Sequence, residues 1–409
     1  MLAAKVENYP EWAWEAFFYA SERSSDSIRF KRVIASRLCA LPLNRIRQFI
    51  RSIARWLEEV ATEFHDARPG EFDDLWNKII SAIKEDPSCC QPSLSRSGKF
   101  DWVSLALNSA GGQLAQALMK LGGREIGDRG LRSDWLKKVE DVLSIGGDAR
   151  RASSAIFLFN INWFYYHEKD WTDAHFLSLL SGDDEDIAAF WSGVLWSNRA
   201  PQRDLFIKLK PMLLALAQSS EELGDKDQRL AGFLLIGWAG RRRNRERIVS
   251  DDEMRDVLVR SGEGFRAHIL WHLQRWSADE PKVWRPRLYR FLREVWPQQK
   301  AAKTSKTSSR MFDLAIESGN SFPRIVPLLI PLMTNVDQDA FMLFKAERSE
   351  HNLIERFPEA MLDLVFVALP ENAQRWPYGA DQVVNHLAQQ PTIQLDDRLV
   401  ELRRRLAAR

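Results

Sequence analysis

The apolar positions along the chain recur at helical spacing in nearly every segment. Steps of three and four residues place an apolar stripe along one face of a helix. One such stripe lies near the N-terminus, at Ile46, Phe49, Ile50, Ile53, Leu57 and Val60. Another begins at Leu288, where Pro286 suits a first helical turn and Pro297 ends the segment. Ser250 and Glu253 have the spacing of a capping box, which predicts a helix start there.

Signals for β-strands are scarce. The run Val365-Phe366-Val367 is β-prone, but it lies in a segment that Pro358 introduces as a helix and Pro370 ends. No Asn-Gly or Asp-Gly turn joins two alternating segments. We therefore predict an all-α chain without a substantial β-sheet. Its helices and short connections are typical of an irregular array of helical hairpins, an α-solenoid similar to HEAT repeats.

Two stretches interrupt the helical pattern. Residues 87–100 combine several Pro, Ser and Cys residues with Gly98, and residues 300–310 read KAAKTSKTSSR, a small, basic and hydroxyl-rich composition. These breaks predict an N-terminal helical region at 1–90, a loop-rich connection at 91–133, a central helical array at 134–299, a mobile basic loop at 300–310 and a C-terminal helical region at 311–409.

Composition and charge set the broad class of the protein. Of 409 residues 45% are hydrophobic and 28% charged, which favours a folded chain, and the net charge of +2 points to no polyanionic partner by itself. Cysteine is rare, and Cys39, Cys89 and Cys90 form no CxxC pair, which fits a reducing compartment. No signal-peptide pattern or apolar run of about 20 residues occurs. We expect a cytoplasmic protein that does not enter the membrane.

His268 and His272 are the first candidates for a metal site. Their spacing places them on one helix face, but the zinc-protease pattern requires Glu after the first His, and Ile269 stands there. Trp271 and Trp276 lie close by, so a packed polar-aromatic face is the favoured interpretation. The pair stays a weak candidate for metal ligation.

A second polar cluster surrounds Trp171 and includes His167 and His175. Acidic and imidazole groups this close together can bind a metal or move a proton. The favoured alternative is a helix start, with Thr172 or Asp173 as the capping residue.

The acidic run Asp183-Asp184-Glu185-Asp186 precedes the apolar positions of a predicted helix. Negative charge at a helix start is favourable because of the helix dipole. The run lacks the alternation and the glycine of a calcium loop, so a helix cap is predicted rather than a cation site.

Nucleotide-binding loops are missing from the sequence. The glycine pairs Gly111-Gly112, Gly122-Gly123 and Gly146-Gly147 lack G-x-G-x-x-G spacing, and none follows a credible strand. No G-x-S-x-G elbow occurs either. We nominate no catalytic residue and expect no cofactor.

Arginine-rich segments carry the partner-binding prediction. A nucleic-acid-binding stripe over 282–310, with aromatic residues between the cations, is one interpretation, and a solvated surface with internal ion pairs is the other. The residues nominated for partner binding are Arg241, Arg242, Arg243, Arg245, Arg247, Arg287, Arg290, Arg293 and Trp296.

Several sequence segments resemble the helical C-terminal region of large bacterial sirtuin-like proteins associated with anti-phage defence. They include FWSGVLWSNRAP (190–201), EGFRAHILWHLQRW (263–276), FLREVWPQQK (291–300), SRMFDLAIESGNSFPRIVPLLIPLM (309–333) and RFPEAMLDLVFVALPENAQRWPYG (356–379). In that family the NAD-consuming activity belongs to an N-terminal sirtuin-like domain. This chain has no residues that match the catalytic residues of that domain. The resemblance therefore implies that the chain corresponds to the helical region without the effector domain.

Three functional hypotheses follow. The leading one is a non-enzymatic helical scaffold or sensor in a bacterial anti-phage defence system, which binds an effector subunit or a phage protein trigger. The first alternative is a nucleic-acid-binding module that uses the basic stripe. The second is an unrecognised metal-dependent enzyme built on His268 and His272 or on His167 and His175.

Overall fold

The computed structural model describes residues 14, 17, 23–91, 101–122, 126–127, 130–197, 199–219, 225–240, 246–336 and 352–408. Most of these residues lie in helices, which confirms the predicted all-α class. Within the described ranges, the β-strands are limited to the antiparallel pair β1 (Ile126–Gly127) and β2 (Gly130–Leu131). No helix in those ranges has the length and apolar character of a membrane span.

The chain forms two compact units, Met1–Asn198 and Arg199–Arg409. The predicted division places no boundary there, since its central array at 134–299 runs across it. The helices of the first unit are α1 (Ile28–Ala40), α2 (Leu43–Gln48), α3 (Ile50–Ala67), α4 (Pro69–Glu85), α5 (Trp102–Leu107), α6 (Ala110–Leu121), α7 (Ser133–Leu143), α8 (Gly147–Phe159), α9 (Ile161–His167), α10 (Lys169–His175) and α11 (Asp184–Trp196).

A succession of helix contacts builds the core of the first unit. Helix α3 packs on α6, α6 on α8, and α8 on α11. The predicted N-terminal stripe is buried throughout, although it is divided between α2 and α3 by a turn at Phe49. Gly193 permits the close crossing of α8 and α11, because a Cβ there would lie 2.5 Å from the carbonyl oxygen of Ala155.

The second unit contains the residues on which the functional proposals rest. A π-helical turn, Phe291–Val295, directly follows the helix that ends at Arg290. The helices are α12 (Arg203–Gln218), α13 (Asp225–Ala239), α14 (Asp251–Arg260), α15 (Glu263–Asp279), α16 (Pro281–Arg290), α17 (Ser305–Glu317), α18 (Phe322–Leu329), α19 (Leu353–Arg356), α20 (Pro358–Ala368), α21 (Ala380–Leu387) and α22 (Asp397–Ala407).

Helix α15 is the centre of the second unit. It packs against α13, α16 and α17, while α18 packs on α20 and α20 on α22. The predicted capping box is confirmed at the start of α14, where Ser250 accepts a hydrogen bond from the Glu253 N–H and the Glu253 carboxylate accepts one from the Ser250 N–H. Helix α16 begins at Pro281 rather than at Pro286, which lies inside it.

The stretch 300–310 differs from the predicted mobile loop, because residues from Ser305 onward belong to α17. Thr304 and Thr307 form a capping box, each hydroxyl accepting a hydrogen bond from the other's backbone N–H. Ser308 is buried and its hydroxyl accepts from the N–H of Thr334 at 2.9 Å. The hydroxyl groups that suggested a loop are thus used for capping and for packing.

The predicted loop-rich connection at 91–133 also contains helices, α5 and α6. Asp101 caps α5 by accepting from the N–H of Val103, and Ser109 caps α6 by accepting from the N–H of Gly112. A Cβ at Gly112 would lie 1.9 Å from the carbonyl oxygen of Ala106. Gly112 therefore allows α5 and α6 to meet at a tight corner.

Candidate functional site

The carboxylate of Asp251, at the start of α14, connects three helices of the second unit. Its Oδ1 accepts a hydrogen bond from the indole Nε1 of Trp238 on α13 at 2.7 Å. Its Oδ2 accepts from the guanidinium of Arg290 on α16 at 2.5 Å. A carboxylate in a first helical turn is also favoured by the helix dipole. We call Asp251, Trp238, Arg247 and Arg290 the Asp251 cluster.

Arg247 is held inside this cluster. Its guanidinium lies 4.3 Å from the centre of the Trp238 ring and donates to the Trp238 carbonyl oxygen at 2.5 Å. Its Nε lies 3.5 Å from Asp251 Oδ1. Arg247 therefore serves the packing of α13 against α14. The other arginines nominated with it, at 241, 242, 243 and 245, lie outside the described residues.

Arg290 is fixed between two carboxylates. Its Nε donates to Glu294 at 2.6 Å, while its terminal nitrogen reaches Asp251. Hydrogen bonding to Glu294, together with the nearby charge of Asp251, raises the pKa of Arg290. The backbone carbonyl oxygen of Glu294 accepts in turn from Arg255. Arg290 is therefore committed to contacts within the chain.

The residues nominated on α16 and just after it do not share one surface. Arg287 is half-buried with its guanidinium 4.9 Å from the centre of the Trp284 ring, Arg293 is exposed, and Trp296 is buried. The reason is geometric. Each residue advances about 100° around an α-helix, so residues three apart differ by about 60° and two such steps move from one side of the helix to another.

The exposed side of this segment carries cations without ion pairs. Lys282, Arg285 and Arg293 are exposed, and none forms an ion pair with any residue in the described part of the chain. We call these three residues the α16 basic face. Tyr289 lies half-buried among them. Arg293 is one of the residues that the sequence nominates for partner binding. Lys282 and Arg285 belong only to the predicted nucleic-acid-binding stripe over 282–310.

Beside this face, α15, α16, α17 and α18 enclose a pocket of about 180 Å³. Arg285 and Tyr289 line it from α16, and Glu317 lines it from α17. The sequence pattern did not single out this pocket. Its residues come from separate helices, and no spacing within one segment relates them.

His272 is a packed side chain of the kind that the favoured interpretation predicted. Its Nε2 lies 2.7 Å from the carbonyl oxygen of Gln228, so this nitrogen carries the proton and donates. Ring centres of Trp271 and Trp276 each lie 4.8 Å away. Burial lowers the pKa of His272 to about 4. In the part of the chain that is described, no three His, Cys, Asp or Glu side chains are placed to hold a metal ion.

The cluster around Trp171 is joined by aromatic stacking and hydrogen bonds. The His175 ring stacks on Trp171 with centres 4.4 Å apart, and the Trp171 Nε1 donates to Glu140 at 2.8 Å. Burial lowers the pKa of His175. The predicted cap is wrong, because Thr172 lies inside α10 and its hydroxyl donates to the carbonyl oxygen of Glu168.

The acidic run at the start of α11 forms the predicted helix cap. The Asp183 carboxylate accepts from the N–H of Asp186 at 2.8 Å, which confirms the prediction. Asp186 is buried and receives hydrogen bonds from Arg150 at 2.5 Å and Arg151 at 2.9 Å. This network joins α8 to α11 and leaves the buried carboxylate fully paired.

Comparison with known proteins defines no family. No known protein family matches the chain, and no solved structure matches it. The chain is 22% identical over 304 residues to the uncharacterized protein y4cA of Sinorhizobium fredii, and the alignment covers 72% of this chain and 25% of that relative. The chain therefore spans about a quarter of the length of the relative it matches.

The Asp251 cluster predicts a specific loss of stability. We expect Asp251→Ala to lower the free energy of unfolding by about 2 kcal/mol, because the buried Trp238 N–H and the Arg290 guanidinium lose their acceptor. Asp252→Ala is the matched control: its side chain is 91% exposed and pairs with Arg255, so removing it from the same helical turn should cost about 0.5 kcal/mol. Urea unfolding followed by circular dichroism measures both, and equal losses would contradict the prediction.

The half-buried imidazole of His272 predicts a dependence of stability on pH. The unfolded chain protonates this ring below its ordinary pKa of 6.5, whereas the folded chain does so only near 4. As the pH falls from 6.5 to 4, the folded state should lose up to about 3 kcal/mol through this group, and none above 6.5. Urea unfolding of the wild type and of His272→Gln at several pH values measures the difference, which should shrink in the variant. A variant with the same pH dependence as the wild type would refute this assignment.

Proposed function

We propose that the protein is a non-enzymatic helical scaffold or sensor of a bacterial anti-phage defence system, which acts in the cytoplasm and binds an effector subunit or a phage protein trigger. The observation that carries the proposal is the α16 basic face. Lys282, Arg285 and Arg293 are exposed and without ion pairs among the described residues, although Arg290 on the same helix is paired twice.

Cations in this arrangement suit recognition of an acidic protein surface. Unpaired charges steer a complementary partner and discriminate against a like-charged one. Arginine and tyrosine are among the residues that contribute most at protein interfaces. Tyr289 provides such a group within the α16 basic face. A rigid helix holds these side chains, so little conformational entropy of the backbone is lost on binding.

The comparison with y4cA supports the same proposal. That relative is about four times as long as the region matched here. A helical region that aligns with part of a much longer protein fits a module that works beside other domains. The resemblance to the helical region of sirtuin-like defence proteins agrees with such a division of tasks, in which the chemistry belongs to a separate effector.

Nucleic-acid binding is the second candidate function. The exposed cations continue beyond α16 with Lys300 and Lys306, as the predicted stripe over 282–310 requires. Such a series can neutralise successive phosphates, and binding would then weaken steeply as salt rises. The acidic protein partner is preferred because nucleic-acid binding by the stripe requires aromatic side chains that stack on bases, and Trp296 is buried.

Co-purification tests the proposal directly. The chain is co-expressed with the products of the genes that flank its own, with and without phage challenge, and purified under native conditions. We expect a stoichiometric protein partner, and we expect the double variant Lys282→Glu, Arg293→Glu to bind it at least tenfold more weakly because like charges then face each other. Arg375→Glu, which reverses another exposed arginine of the second unit, is the control and should bind normally.

Two results would contradict the scaffold proposal. One is a partner whose affinity does not change when Lys282 and Arg293 are reversed. The other is the absence of any protein partner together with bound nucleic acid that salt releases, which would favour the second candidate function instead.

A further inference from the structure

The pocket beside the α16 basic face is lined by two unpaired charges of opposite sign. Arg285 lines it from α16 and Glu317 from α17. Both are exposed, and neither forms an ion pair with the other or with any further described residue. A guanidinium and a carboxylate that line one pocket without neutralising each other leave a positive and a negative contact for a ligand that carries both charges.

Two polar side chains of α15 also line this pocket, and each has a buried oxygen atom without a hydrogen-bond partner in the described part of the chain. Ser277 is only 8% exposed, and its Oγ has no hydrogen-bond partner among the described residues. The Oε1 of Gln274 is likewise buried without a partner. In native structures about 90% or more of buried polar groups form a hydrogen bond. Two buried oxygen atoms without one at the same pocket therefore point to a ligand that donates hydrogen bonds.

The pocket also has an apolar wall. Leu288 of α16 and Leu314 of α17 line it, and both are buried. Its volume of about 180 Å³ is below the range of roughly 300–1,000 Å³ found for drug-sized ligands, so a ligand that fits inside it is smaller than a nucleotide. These features favour a small, partly apolar ligand that carries one positive and one negative charge.

We propose that this pocket binds a free α-amino acid with an apolar side chain. An ammonium group has three N–H donors, and the pocket offers acceptors on Gln274, Ser277 and Glu317. The carboxylate of the amino acid pairs with the guanidinium of Arg285, whose planar fork matches its two oxygens. The side chain of the amino acid packs on the wall that includes Leu288. The site goes beyond the proposed partner binding and does not depend on it.

Isothermal titration calorimetry of the full chain tests this assignment. The probes are L-leucine, 4-methylpentanoate, which lacks the ammonium group, and 3-methylbutylamine, which lacks the carboxylate. We expect L-leucine to bind and each single-charge analogue to bind at least tenfold more weakly, because each leaves one charge of the pocket unpaired. No heat with L-leucine, or equal affinity for 4-methylpentanoate, would overturn the proposal.

Variants then test the residues. Arg285→Gln and Glu317→Gln should each weaken L-leucine binding at least tenfold, and Ser277→Ala should weaken it by a smaller factor. Arg375→Gln removes an exposed cation of the same unit outside the pocket and should bind L-leucine like the wild type. Circular dichroism checks that each variant is folded. If neither Arg285→Gln nor Glu317→Gln changes the affinity for L-leucine, the amino acid binds elsewhere on the protein and the proposal is overturned.

Discussion

The carboxylate of Asp251 is the contact on which the arrangement of the second unit's basic helix depends. It joins α14 to the indole N–H of Trp238 on α13 and to the guanidinium of Arg290 on α16. The Trp238 side chain is fully buried, so its N–H requires an acceptor inside the protein. Asp251 also holds Arg290, so this ion pair, together with the buried Trp284 and Leu288, sets the rotation of α16 and hence which of its cations face outward.

Helix α16 consequently has three sides with different tasks. Arg290 contacts the Asp251 cluster, while Lys282 and Arg293 face solvent and supply the proposed partner surface. Arg285 lies where this surface meets the pocket, next to the buried Leu288 that forms part of the pocket wall. A partner on the basic face and an amino acid in the pocket would therefore contact one helix, whose position is set by the same internal ion pair.

Local signals in the sequence predicted the helices better than the contacts between them. The capping box at Ser250 and the cap at Asp183 were predictable because each interaction joins residues three apart. The helix start at Thr304 was missed because small, basic and hydroxyl-rich residues are typical of loops, and only burial shows that they cap and pack. The sequence wrongly suggested that Arg290 is free to bind another protein. Its ion-pair partner Asp251 lies 39 positions away, so no local pattern reveals their contact.

A double-mutant cycle between Asp251 and Arg290 tests this account most directly. The free energies of unfolding of Asp251→Ala, Arg290→Ala and the double variant are compared with that of the wild type. We expect a coupling energy of about 1 kcal/mol, modest because both side chains are partly exposed, and no coupling between Asp251 and Arg293. Additive effects of Asp251→Ala and Arg290→Ala would contradict the claim that this ion pair sets the position of α16.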